Sequence, residues 1–234
     1  ISRFWPLWIV YLGVLLVQLP FTVSGYLAQG VSALYTMDRI LQLSVNVAGY
    51  GMAASVLSVM AAFSYLYSKR SCSLINSLPI RRETAFVTAC LTGLLPLLLA
   101  EALTWLISLG IFAGSEIARP EYLNSWLLIA LLSTLASYGF AVLCAMLTGH
   151  ILALPALFLV LNAAVFVLET LVQTMLRTLV YGYANGSASI NWLSPLLYIS
   201  DALRVIAAPA TGSQGTEYIL LGINSLAIYA AVGV

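Results

Sequence analysis

Residues 64–86 read "SYLYSKRSCSLINSLPIRRETAF" and hold Lys69, Arg70, Arg81 and Arg82, four of the nine Lys and Arg residues of the chain. Apolar runs flank this stretch on both sides, "NVAGYGMAASVLSVMAAFSY" before it and "TAFVTACLTGLLPLLLAEALTWLISLGIFA" after it. Each run is long enough for a helix to cross a hydrocarbon layer of about 30 Å, which takes about 20 residues. The polar break between them is therefore a loop at a membrane surface, and its cations mark which surface.

Working outward, the same alternation recurs along the chain. Six apolar segments can be drawn: 4–23, 43–66, 84–113, 125–147, 151–175 and 217–234. The composition agrees, with 62% hydrophobic and 7% charged residues and a mean hydropathy of +1.02. A soluble domain carries about 25% charged residues, and 7% cannot cover the surface of a 234-residue soluble fold. The fold class expected is an all-α polytopic membrane protein, one transmembrane domain over 1–234, with the lipid bilayer as its surroundings. Trp5 and Trp8 open the first segment, as residues of the membrane interface do. The second segment is rich in Gly, Ala and Ser, which let helices approach closely.

The distribution of cations sets the orientation. With the N-terminus inside, the inner side holds Arg3, Lys69, Arg70, Arg81, Arg82 and His150. The outer side then holds Arg39, Arg119, Arg177 and Arg204, diluted by Asp38, Glu116, Glu121, Asp201 and Glu217. The 67–83 loop, with four cations against Glu83 alone, decides for N-terminus inside. The chain begins at Ile1 and stops within the apolar "YAAVGV", and is expected to be a piece trimmed at both ends. The first run lacks an A-x-A-like cleavage site and reads as a retained span. The long segment 176–216, with "NWLSPLLYISDALRVIAAPATGSQG", is expected to form short helices at the outer surface before the sixth span.

Within the opening stretch, Leu74, Ile75 and Leu78 fall at i, i+1 and i+4 and give a helix over 70–78 one small apolar face. Pro79 suits the first turn of a following helix, where its missing N–H costs little. From Pro79 the chain keeps helical propensity to Gly114, about 52 Å at 1.5 Å per residue. That exceeds the hydrocarbon thickness, so the third helix is expected to tilt, to kink at Pro96 and to protrude. A short surface helix joined to a protruding one is a feature that a soluble protein can grip.

These residues resemble a family. "YLYSKRS" followed by "SLPIRRE" between the second and third spans is similar to the corresponding loop of permease subunits of ABC-2 type transporters of Gram-positive bacteria. The matching positions are Tyr67, Ser68, Lys69, Arg70, Ser71, Ser77, Leu78, Pro79, Ile80, Arg81, Arg82 and Glu83. The resemblance implies an ABC-2 type exporter fold with six transmembrane helices, both termini in the cytoplasm and a coupling helix in the 67–83 loop. It implies a bacterial cytoplasmic membrane, a second permease protomer as homo- or heterodimer, and a separate ABC ATPase subunit carrying ATP and Mg. The contact with that subunit would run through Lys69, Arg70, Leu74, Ile75, Ser77, Leu78, Pro79, Ile80, Arg81, Arg82 and Glu83. The middle of the loop, "CSLIN", is more apolar than the family's pattern.

The chain itself has no phosphate-cradling loop: its one Lys, Lys69, follows no Gly-x4-Gly. No ATP hydrolysis, no bound cofactor and no enzymatic role are expected of it. No HExxH, GxSxG or paired-carboxylate motif is present, so no catalytic residues are expected. Cys72, Cys90 and Cys144 have no ligand spacing, and no metal site or disulfide framework is expected. A net charge of +1 points to no nucleic acid partner.

Glu101 and Glu169 are the carboxylates set well within apolar runs, each about 25 Å along its span. Such groups face a bundle interior or an aqueous cavity. Two readings stand for them. The first is functional: lining of a pathway or a proton-linked carboxylate, with Asn162 and Gln173 on the Glu169 helix. The second is structural: a residue near the headgroups, or one hydrogen-bonded to a Ser, Thr or Tyr of a neighbouring helix. The first defines the alternative function, a secondary carrier or channel using Glu101 and Glu169. His150, in the "TGHI" turn, is expected to cap that turn.

Overall fold

A computed structural model describes residues 4–28, 33–67, 81–113, 120–179 and the single position 227. The described residues form α1 (Trp5–Leu16), a π-helical turn (Val17–Phe21), α2 (Thr22–Ala28), α3 (Ala33–Ala62), a 3-10 turn (Ser64–Tyr67), α4 (Arg82–Ala113), α5 (Pro120–Leu147) and α6 (Ala153–Leu179). No strand occurs among the described residues. The all-helical class expected from hydropathy is what the chain forms.

Among the described residues, four stretches are long and apolar enough to cross a membrane: Trp5–Gly25, Arg82–Ile111, Leu123–Leu147 and Ala153–Leu179. They correspond to the first, third, fourth and fifth expected spans. The second lies in α3, where the apolar part, Asn46–Ala62, is shorter. Its shortness has a composition cause, because the first half of α3 carries Asp38, Arg39 and Gln42. The expected loop helix over 70–78, the outer segment 180–216 and the sixth span 217–234 lie outside the described residues, save Ala227.

The first span stays helical despite two prolines. Pro6 falls in the first turn of α1, where backbone N–H groups have no intrahelical acceptor to lose. Pro20 falls in the interior, where it removes the N–H that would bond the Leu16 carbonyl and crowds that carbonyl. The helix absorbs it in the π-helical turn Val17–Phe21. Hydroxyls bond carbonyls nearby: Thr22 Oγ1 donates to Val17 O at 3.3 Å and Ser24 Oγ to Phe21 O at 2.8 Å.

Packing follows the 3.6-residue period. Tyr11, Leu15, Leu19 and Val23 are buried at intervals of four along the first span. They meet Val47, Ala54, Val59 and Phe63 of α3, Leu97 and Ala100 of α4, and Trp126, Ala130, Tyr138 and Ala141 of α5. α5 is the most buried of the long apolar helices and packs most extensively on α3 and then α4, while α3 packs on α1, α4, α5 and α6. α6 buries Leu154, Phe158 and Asn162 in its first half, whereas Phe166, Val167, Leu168, Leu171, Met175 and Leu179 are exposed. Such a continuous apolar surface suits lipid and not water.

Two glycines allow close helix crossings. A Cβ on Gly51 of α3 would stand 2.8 Å from Thr134 Oγ1 of α5. A Cβ on Gly93 of α4 would run into the Tyr138 hydroxyl. At that second crossing Ser58 Oγ donates to Gly93 O at 2.6 Å, Tyr138 Oη to Cys90 O at 2.9 Å, and Trp8 Nε1 to Ser58 Oγ at 3.3 Å.

α4 runs 32 residues without a break through Pro96, about 48 Å at 1.5 Å per residue. Its buried stripe is Ala89, Gly93, Leu97, Ala100, Glu101, Thr104 and Ser108. Before Ala89, Arg81, Arg82, Glu83, Thr84, Phe86, Val87 and Thr88 are exposed. The first turn thus stands clear of the buried core, whereas Phe86 in the second meets the Phe63 ring at 5.9 Å. Glu83 in the first turn suits the positive end of the helix dipole, and Thr84 Oγ1 donates to Arg81 O at 2.6 Å.

Candidate functional site

The buried stripe of α4 places one carboxyl in the middle of the bundle. Glu101 has 0% exposure and is the only buried carboxylate among the described residues. Its position one turn from Leu97 and Thr104 turns it toward α1, α3 and α5 rather than toward the exposed Leu99 and Leu103.

Three helices furnish its surroundings. Tyr11 Oη of α1 donates to Glu101 Oε1 at 2.9 Å, and Thr134 Oγ1 of α5 donates to the same oxygen at 2.5 Å. From α3, the missing side chain of Gly51 leaves room for both hydroxyls, since its Cβ would lie 2.8 Å from Thr134 Oγ1 and 3.6 Å from Tyr11 Oη. Ser55 of α3 adds a long hydrogen bond, Oγ to Thr134 O at 3.5 Å. Glu101 Oε2 is buried with no hydrogen-bond partner. The second of the two readings of Glu101, a hydrogen bond to Thr or Tyr of neighbouring helices, is the arrangement found.

Other buried hydroxyls nearby are satisfied within their own helices. Thr104 Oγ1 bonds Ala100 O and Ser108 Oγ bonds Thr104 O, each at 2.8 Å. Ser133 Oγ bonds Ala130 O at 3.0 Å and Ser137 Oγ bonds Ser133 O at 2.7 Å. These residues act as small packing groups. The Glu101 cluster differs because its bonds run between helices.

The remaining expected site residues are apart from it. Glu169 Oε1 accepts from Gln173 Nε2 at 3.1 Å, one turn along α6, and both are half-buried. Asn162 is buried and donates to Phe158 O of its own helix at 2.7 Å. Glu101 and Glu169 share no hydrogen-bond partner, and no pathway joining them is drawn by these contacts. Arg81, Arg82 and Glu83 stand exposed at the start of α4. Lys69, Arg70, Leu74, Ile75, Ser77, Leu78, Pro79 and Ile80 lie outside the described residues. His150 holds its turn, with Nδ1 accepting from Leu152 N at 3.3 Å and its carbonyl from Ala153 N at 3.0 Å. Among the described residues no group of three His, Cys, Asp or Glu could hold a metal ion.

Tyr11, Gly51 and Thr134 were not distinguishable in the sequence. Each is a single polar or small residue inside an apolar run, and nothing in local spacing links positions 11, 51, 101 and 134. Comparison of the chain with family models, with curated proteins and with solved structures finds no match in any of the three.

Proposed function

We propose that this chain is the membrane-spanning subunit of an ATP-driven exporter of the ABC-2 type, moved by a separate ATPase subunit that binds the loop between the second and third spans. The observation that carries this reading is a junction. The run "SLPIRRE" leads directly into a helix whose first two turns, from Arg82 on, are exposed while the turns beyond Ala89 are locked into the bundle. A rigid helix transmits a displacement of its free end to whatever is packed against its other end. Here a push at Arg81 and Arg82 would reach the Gly93 crossing about 17 Å away and Glu101 about 29 Å away, at 1.5 Å per residue.

In this reading the N-terminus and the 67–83 loop face the cytoplasm of a bacterium, ATP and Mg sit on the partner subunit, and a second permease protomer completes the pathway. The apolar face of Leu74, Ile75 and Leu78 supplies the clamp, and the four flanking cations orient it.

Co-purification of the full chain with its cognate ATPase tests the proposal. Arg81→Glu with Arg82→Glu, or Leu78→Asp, is expected to reduce the retained ATPase at least tenfold while leaving membrane insertion intact. A secondary carrier or channel working through Glu101 and Glu169 would tolerate those changes. It would lose flux in Glu101→Gln or Glu169→Gln, and that outcome would replace the exporter reading.

A further inference from the structure

Glu101 raises a question the exporter reading does not answer: what neutralises a carboxylate sealed between helices. A buried carboxylate with neither cation nor a full set of donors is strongly unfavourable. Two hydroxyl donors reach it, both on Oε1. Oε2 is buried beside them without a partner. Two donors on one oxygen and none on the other is the pattern of a carboxylic acid, whose carbonyl oxygen accepts and whose hydroxyl oxygen carries the hydrogen.

We propose that the Glu101 cluster is a proton-binding site, in which one proton rests on Oε2 while Oε1 accepts from Tyr11 and Thr134 and so ties α1 and α5 to α4. The elements packed against Glu101 contain few groups that could compete for the proton. α1 brings Tyr11, α3 brings Gly51 and Ser55, α5 brings Thr134, and the π-helical turn Val17–Phe21 contains no titratable side chain. Tyr50 of α3 is turned away to Gln18 Nε2 at 3.3 Å, and Tyr138 of α5 to Cys90 O. Among the described residues Tyr11 is the one titratable side chain hydrogen-bonded to Glu101, and it spends its hydrogen on Oε1.

The cluster is a poor cradle for a metal cation. A hard cation such as Ca²⁺ takes about six to eight oxygen ligands, whereas Tyr11, Thr134 and Glu101 are the side chains gathered here. Both hydroxyls direct hydrogens, not lone pairs, at the carboxyl. Release of the proton would leave a charge that the Tyr11 and Thr134 hydroxyls solvate on Oε1 alone, with Oε2 still buried and without a donor. The site stands independently of the exporter reading, because it concerns no contact with an ATPase.

Infrared spectroscopy of the full chain in lipid nanodiscs tests the site. At neutral pH the protein is expected to show a carboxylic acid C=O band that Glu101→Gln lacks. Tyr11→Phe and Thr134→Val each remove a hydrogen bond to that C=O and should shift the band to higher wavenumber, which a merely structural role for Glu101 would not cause. Should Glu101→Gln fail to assemble, the shift in Tyr11→Phe carries the test alone. Absence of any acid band that depends on Glu101, or a band unmoved by both hydroxyl deletions, overturns the proposal. So does a band that appears or vanishes when Na⁺ is exchanged for choline, since that would assign the site to a metal cation.

Discussion

At the scale of single residues, the interior of this bundle is governed by what small side chains permit. Gly51 has no spare space: a Cβ there must displace Thr134 Oγ1 at 2.8 Å, within the same group that bonds Glu101. Gly51→Ala is expected to lower stability by about 1–3 kcal/mol, the usual range for overpacking a tight core, and to shift thermal unfolding of the purified protein downward. Gly13 has nothing within 4 Å of its Cβ position. Gly13→Ala is therefore the control, and should leave the melting temperature unchanged or raise it, since a mid-helix Gly costs roughly 0.5–1 kcal/mol relative to Ala. The two hydroxyls on Glu101 Oε1 should behave as one unit. Thr134→Val and Tyr11→Phe should each cost about 1–2 kcal/mol, as for a buried hydrogen bond broken on one side. Their double variant should depart from additivity, which a double-mutant cycle of unfolding free energies measures. Glu101 itself was legible in the sequence as an ionisable group deep in an apolar run. Its partners were not, because a Tyr at 11 and a Thr at 134 look like any polar residue in a span until the helices are brought together.

At the scale of elements, hydropathy located the helices whose whole length is apolar and was weaker where polar residues intrude. The first, third, fourth and fifth spans follow their apolar runs closely, with ends displaced by up to five residues. α3 shows the opposite case: a 30-residue helix of which only Asn46–Ala62 is strongly apolar. The π-helical turn at Pro20 was invisible in the sequence, since a proline reads equally well as a kink. Pro96, the expected kink of the third helix, lies inside α4, which stays helical on both sides of it. α4 also makes the sharpest prediction at this scale. In a chain with Cys72, Cys90 and Cys144 replaced by Ser, Thr84→Cys and Thr88→Cys should react with a water-soluble maleimide. Thr104→Cys and Ser108→Cys, from the buried stripe, should stay unlabelled under the same conditions. Equal labelling along the helix would mean that its first two turns are no more exposed than the rest.

At the scale of the whole molecule, the described helices form a bundle in which α3 packs on every other long helix, with polar bonds at the crossings and apolar side chains outward. The Tyr67 end gathers the polar turns: Tyr67 Oη donates to Ala145 O at 3.0 Å and lies 3.3 Å from Thr148 Oγ1, close to the turn held by His150. Phe63 and Phe86 meet at 5.9 Å between ring centroids, tying the base of α4 to α3. The first turn of α4 and the α5–α6 turn lie at this same end, which the described chain leaves at Tyr67 and re-enters at Arg81. The central claim is that this end faces the cytosol and receives a motor. Cys72 lies in the loop and offers a native reporter once Cys90 and Cys144 are replaced by Ser. Labelling of Cys72 in intact bacterial cells with a membrane-impermeant thiol reagent is the most direct test. The account predicts reaction only after the membrane is opened; reaction in unbroken cells, with Cys72 fully modified from outside, would contradict it.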